Sequence, residues 1–236
     1  MFSDKEIIQF LQKDIIKNVN IIYFIENNPI YYMERYKDSV IVKGESDENW
    51  VYISSSSPEE LRELLKKCED DKFFFVAEDW MLPFILEDKE MDWKLSCMKL
   101  VFPEDIDIPR SKEKIRQLTV DEAEYIQNNS KYKEYTDTQY IQRRITDGPA
   151  LGIYDGDTLV GWIMTHDDGA IGFLNILPEY RKIGYGYELT ISIIEALRKM
   201  KKISFVHIEE DNDKSMNLAL KTGFMKDRLI HWVKRK

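Results

Sequence analysis

Cysteine is scarce in this chain. Only Cys68 and Cys97 occur in 236 residues, with no C-x-x-C pair, and there are only three histidines. That leaves no zinc-ligand spacing and no disulfide framework, so we expect reduced, buried thiols, no metal and a cytoplasmic location. Long apolar runs are missing as well. No stretch approaches the roughly eighteen residues needed to cross a bilayer, and the opening Met1-Phe2-Ser3-Asp4-Lys5-Glu6 has no apolar segment of the signal-peptide kind. Basic residues are in deficit, 34 against 43 acidic, for a net charge of −9. This argues against nucleic acid as the main partner. It suits a small cationic or amine substrate, although acidity also serves solubility alone. Glycine too is sparse, at 10 residues, which makes two glycines one residue apart informative.

Those two lie in Ile176-Leu177-Pro178-Glu179-Tyr180-Arg181-Lys182-Ile183-Gly184-Tyr185-Gly186-Tyr187. An apolar strand end (Phe173, Leu174, Ile176) runs into R-x-x-G-x-G, and Leu189, Ile193, Leu197 and Met200 then recur on one face of a helix. Glycine lets a backbone approach a ligand closely. A helix opening there presents unpaired N–H donors and the positive end of its dipole to one point, which is an anion site. No Gly-Lys-Ser/Thr follows, so this is not a P-loop, and the third glycine of the dinucleotide fingerprint is missing. By itself the loop also fits a plain turn with a helix cap.

With 43% hydrophobic residues the chain buries a core. The first half reads as a helix over 4–17, strands at 21–25, 31–36, 39–43 and 50–54, a helix over 58–69 capped by Ser57 with Pro58 in its first turn, a strand at 72–77, a short helix at 80–86 and a strand at 93–102. Residues 103–112, with two prolines, read as a linker. The second half reads as a strand at 115–118, helices from 121 and over 138–145, and hairpins turning at Asp155-Gly156 and Asp168-Gly169. After the glycine loop and its helix come a strand at 203–208, a helix over 213–221 and a last strand reaching Trp232 and Val233. The halves share an order of elements, and Ser54 to Ser57 stand where the second half has its glycines. A degenerate internal duplication and an unrelated α+β cap both fit.

Residues 113–236 resemble the GNAT acyltransferase superfamily. There R/Q-x-x-G-x-G/A is the coenzyme A pyrophosphate loop, and N-x-x-A/S-x-x-L-Y-x-x-x-G-F follows; here the second pattern appears as Asn212, Ser215, Leu218, Ala219, Gly223 and Phe224. The resemblance implies an α+β fold, a mixed and mostly antiparallel sheet flanked by helices, preceded by a second α/β half of similar order. The domains expected are 1–103, a linker at 104–112, and the acyltransferase domain at 113–236.

The activity implied is transfer of an acetyl or other acyl group from acetyl-CoA to a primary amine of a small molecule or peptide, by direct attack in a ternary complex. A coenzyme A-binding sensor or interaction module without catalysis is the alternative. A transferase using acyl-tRNA predicts a basic groove, against the net charge. The oligomeric state is open, a homodimer among the options; no membrane partner is expected.

For the coenzyme the resemblance points to Asn175, Ile176, Leu177, Pro178, Arg181, Lys182, Ile183, Gly184, Tyr185, Gly186, Tyr187, Asn212 and Ser215, with a main-chain N–H at 175–177 serving the thioester oxygen. Arg181 also reads as a cover for the loop, Tyr185 and Tyr187 as packing, Asn212 as a helix cap and Ser215 as a small packing residue. Where many members carry a tyrosine that protonates the leaving thiolate, this chain has Ala219. The candidate base is Glu209, at the end of a strand, directly or through a water. Asp167 and Asp168 come next but read as turn residues, and His166 and His207 read as structural. No Ser-His-Asp set follows from spacing, which disfavours covalent catalysis. Trp50, Trp80, Trp93 and the Tyr132–Tyr140 region are candidates for lining an acceptor groove and more commonly would be core.

Overall fold

The computed structural model describes residues 3–130, 133 and 136–236. In chain order its elements are α1 (Asp4–Leu11), α2 (Ile15–Asn27), β1 (Ile30–Tyr36), β2 (Ser39–Glu45), β3 (Asn49–Ser54), α3 (Pro58–Leu65), β4 (Phe73–Val76), α4 (Leu82–Ile85) and β5 (Met91–Val101). They continue as β6 (Ile115–Gln117), α5 (Ala123–Asn129), α6 (Thr138–Asp147), β7 (Ala150–Asp155), β8 (Thr158–Thr165), β9 (Ile171–Ile176), α7 (Tyr185–Lys199), β10 (Phe205–Glu209), α8 (Asp213–Thr222) and β11 (Met225–Arg235).

Helices start where the chain supplies an acceptor for their first N–H groups. Ser3 and Glu6 form a reciprocal box at α1, Asp14 caps α2, Ser57 caps α3 ahead of Pro58, Asp137 caps α6 and Asn212 caps α8. α7 has no side-chain cap. One expected element is overturned: 21–25 is not a strand but the middle of α2, with Ile21, Ile22, Tyr23 and Phe24 all buried. A short run of β-branched and aromatic residues buried on every side has no period to tell helix from strand.

Two compact units divide the chain. The first holds Met1–Lys99, Ile208–Asp211 and Lys226–Lys236, and the second holds Leu100–His207 and Asn212–Met225. In the first, strands run in the order β1-β2-β3-β4-β11-β5. β1, β2 and β3 are antiparallel neighbours, β3 and β4 are parallel, and the last strand of the chain lies antiparallel to β4 with His231 opposite Val76. That pairing is why 226–236 joins the first unit, although it follows the second in sequence. The core of this unit centres on Ile41, Val51, Ile53, Leu61, Phe74, Val76 and Val233.

In the second unit the order is β10-β9-β8-β7-β6. Here β6 to β9 are antiparallel and β9 and β10 are parallel. Trp162 and Met164 of β8 and Phe173 of β9 pack with Ile126 and Ile141 of α5 and α6. The Asp155-Gly156 and Asp168-Gly169 turns fall where expected, with Gly156 and Gly169 at φ 58 and 83. The segment after β5 is irregular, as its prolines imply, yet tied to α7. Arg198 donates to the carbonyls of Pro103 and Ile106, and Glu188 accepts from Ser111 Oγ and the Lys112 N–H.

β1-β2-β3-α3-β4-α4-β5 and β7-β8-β9-α7-β10-α8-β11 are the same series, each with a parallel pair across its first helix. Of the two sequence readings, the repeat is the one this topology matches.

Candidate functional site

The site begins with an irregularity in β9. Trp162 lies opposite Asn175 but Met164 lies opposite Gly172, so Phe173 and Leu174 face the single residue Ile163. This is a β-bulge, and Phe173 at φ 53 carries it. A large aromatic in the left-handed region is strained by roughly 1–3 kcal/mol. Its ring is held there by His166 at 4.6 Å and Tyr140 at 5.8 Å. Before the bulge, β9 pairs with β10 at Ile171 opposite Val206. Beyond it, among the described residues, that pairing does not continue.

The free edge can be read from alternation. The Leu177 N–H donates to the Val160 carbonyl of β8. Successive strand residues face opposite ways, so the N–H and C=O of Ile176 face away from β8. Ile176 O accepts there from Arg181 Nε at 2.8 Å. Among 175–177, Ile176 is therefore the residue whose main chain faces away from β8.

After a turn at Pro178–Tyr180, residues 181–184 are exposed. Lys182 and Gly184 lie in the left-handed region, at φ 67 and 106. The first helical bonds of α7 run from Tyr187 and Glu188 to the Gly184 carbonyl, which leaves the N–H groups of Gly184, Tyr185 and Gly186 ahead of the ladder. A Cβ at Gly184 would meet nothing within 4 Å. At Gly186 it would touch Leu218 Cδ2 at 3.5 Å. Gly184 thus serves the backbone and opens the space above the loop. Lys221 of α8 lies 5.9 Å over the Tyr187 ring and adds a cation beside the first turn.

The same position in the first unit is filled. Lys17 Nζ donates to the Ser55 carbonyl, Ser39 Oγ lies 3.0 Å from Ser55 Oγ and 2.7 Å from Glu60, and Ser57 caps α3. This unit has spent its donors on its own side chains.

Other sequence candidates fall as follows. Asn212 Oδ1 accepts from the Ser215 N–H at 3.2 Å, so both residues serve the α8 cap. Ala219 is buried at 5% exposure. Glu209 ends β10 and is exposed. Trp50 is buried on Phe73 with its indole N–H on Asp47, Trp80 packs on Phe84, and Trp93 is exposed. Tyr140 is enclosed, its hydroxyl 3.3 Å from Asp167; burial pushes that phenol well above its ordinary value. Tyr132 and Tyr135 lie outside the described residues.

Two constellations were not foreseen from spacing. Asp168 is buried, and its Oδ2 lies 3.7 Å from His207 Nδ1. Ser96, His231 and Asp79 are linked through both ring nitrogens of His231, at 2.8 and 2.9 Å. The second has the connectivity of a hydrolase relay with the burial reversed: His231 is enclosed, and the Asp79 side chain is 68% exposed. It ties β11 to β5 and to the turn after β4. A glycine inside a strand is a signal for a bulge, and Gly172 precedes the one in β9. A Cβ there would lie 2.1 Å from His166 Nε2.

Residues 150–233 match the family model described as FR47-like protein. No curated protein matches the chain. Three solved structures share its architecture at low identity. A Drosophila protein is 18% identical with a TM-score of 0.78, over 100% of this chain and 97% of its own. A GCN5-related N-acetyltransferase from Kribbella flavida is 14% identical with a TM-score of 0.62, over 93% and 94%. A tandem GNAT protein from the clavulanic acid biosynthesis pathway is 13% identical with a TM-score of 0.53, over 92% and 87%. The chain has the GNAT fold, and the two-half arrangement fits that of the tandem protein.

Proposed function

We propose that the chain is an N-acyltransferase that moves an acetyl group from acetyl-CoA to a primary amine of a small molecule or peptide within a ternary complex. The observation that carries this is the uncapped start of α7, which presents its N–H groups over an exposed glycine loop with empty space above Gly184. The pyrophosphate of the coenzyme belongs there, where helix N–H groups and the dipole favour negative charge. The pantetheine arm follows the edge of β9, exchanging the Arg181–Ile176 bond for its own amide bonds and freeing the Arg181 guanidinium for phosphate.

Near the bulge, a main-chain N–H on that edge donates to the thioester oxygen as it gains charge. The amine attacks in its neutral form, the C–N bond forms, and the C–S bond breaks. Ala219 cannot donate a proton, so the thiolate takes its proton from water or from the amine nitrogen. A cytoplasmic setting fits Cys68 and Cys97, both buried and neither in a disulfide, and no helix among the described residues is long and apolar enough to cross a membrane.

The absent tyrosine favours a second reading, a coenzyme A-binding module without turnover. A thermal-shift titration and an assay of coenzyme A release over a panel of primary amines separate the two. Coenzyme A at about a hundredfold excess over its Kd should stabilise the protein by roughly 3 kcal/mol, and at least one amine should release thiol from acetyl-CoA. Stabilisation without release supports the binding module, and no stabilisation removes both.

A further inference from the structure

We propose that His207, backed by Asp168, is the base that deprotonates the acceptor amine; this rests on the acyl-transfer reading above. His207 follows Val206, the residue of β10 that pairs with β9, so it stands where that pairing ends. From Ile176, at the mouth of the loop, back to Gly172 is four residues, roughly 13 Å at about 3.3 Å per strand residue. A pantetheine arm spans such a length, which puts the thioester beside the bulge and level with His207.

The surroundings are those of a working imidazole. The side chains of His207 and Asp168 are 8% and 6% exposed, 3.7 Å apart. A buried imidazole–carboxylate pair is a poor source of stability, because desolvation offsets the attraction. The turn that carries Asp168 is fixed from several sides. Asp168 Oδ1 accepts from the Ala170 N–H at 3.0 Å, the Tyr140 hydroxyl meets Asp167, and Arg144 Nη1 donates to the His166 carbonyl at 3.2 Å. Arg144 is 5% exposed and its Nε has no hydrogen-bond partner. A polar group is thus left unsatisfied on the side chain that braces the turn carrying Asp168, as expected where a polar ligand completes the site.

Chemically, His207 removes one proton from the ammonium and passes it to solvent, and Asp168 steadies the imidazolium that forms. The neutral amine bonds to the acyl carbon as the C–S bond breaks. The surplus proton on the new amide nitrogen goes to the thiolate. Glu209, the candidate from sequence, stands two residues further on at the exposed strand end.

The test compares two acceptors in saturating acetyl-CoA: the primary alkylamine that releases coenzyme A fastest in the panel, and hydroxylamine, which is already neutral at pH 7. His207→Gln should lower kcat for the alkylamine about a hundredfold or more, keep the coenzyme A thermal shift, and change the hydroxylamine rate less than tenfold. Asp168→Asn should show the same acceptor dependence with a smaller loss, and it carries the test should His207→Gln not fold. The proposal is overturned if His207→Gln keeps its alkylamine rate, if it loses both acceptors equally, or if Glu209→Gln or His166→Gln gives the acceptor-dependent loss instead. A wild-type protein that binds coenzyme A and turns over no amine overturns the acyl-transfer reading itself.

Discussion

Gly184→Glu should abolish the stabilisation by coenzyme A while leaving a folded protein. Two effects combine at this position. With φ at 106, any L side chain is strained, at a cost of roughly 1–2 kcal/mol. The new Cβ meets nothing within 4 Å, so the carboxylate projects into the space assigned to the pyrophosphate and opposes it by charge. Gly184→Ala separates the two, since it carries the strain without the charge. We expect the alanine variant to melt lower than wild type yet respond to coenzyme A, and the glutamate variant to melt equally low and not respond. Equal affinity in wild type and Gly184→Glu, by calorimetry, would mean that the loop is only a turn.

The second large effect lies away from the site. Asp227→Leu should cost the protein about 3–5 kcal/mol, measured by urea unfolding. Lys99 is a fully buried cation, with Nζ 3.1 Å from Asp227 and 2.6 Å from the Ile16 carbonyl. Removing the carboxylate leaves the ammonium with one neutral acceptor. The double variant Lys99→Met/Asp227→Leu should recover the part of the loss that comes from the stranded ammonium, while Arg228, which also donates to Asp227, keeps Glu78 as its partner.

The alkaline pH dependence follows from the same burial. Burial lowers the Lys99 pKa below its ordinary 10.5, against the pull of Asp227. The folded state therefore holds that proton less firmly than the unfolded chain, and the wild type gains stability as pH rises through the interval below 10.5. Lys99→Met should lack that gain, so its stability relative to wild type should fall as pH approaches 10.5. A single-variant loss that the double variant does not relieve would contradict the ion-pair account.

Much of the architecture is legible where local chemistry decides the outcome. Ser57-Pro58 starts a helix because the serine satisfies N–H groups that the proline does not need to pair. Asp155-Gly156 and Asp168-Gly169 turn because glycine accepts a positive φ. The Arg181–Gly186 loop is legible for the same reason, and the N–H groups of Gly184, Tyr185 and Gly186 stand ahead of the α7 ladder. What escaped the sequence is set by distant partners. Ile21 to Phe24 lies inside α2, and because every side of it is buried its sequence carries no period that marks a helix. β11 joins β4 of the first unit, a pairing that no local pattern encodes. His207 looked structural because Asp168, its partner, is 39 residues away along the chain, and a turn aspartate has no local signature of burial.

The place where the coenzyme sits is the most direct test of an acyl-transfer site at α7. A crystal structure of the protein with acetyl-CoA should show the pyrophosphate on the N–H groups of Gly184, Tyr185 and Gly186. It should also show the pantetheine between β9 and β10 in place of the Arg181–Ile176 bond, and the thioester level with Phe173 and His207. A coenzyme bound elsewhere, or strands that stay closed with Arg181 still on Ile176 at saturating acetyl-CoA, would contradict it.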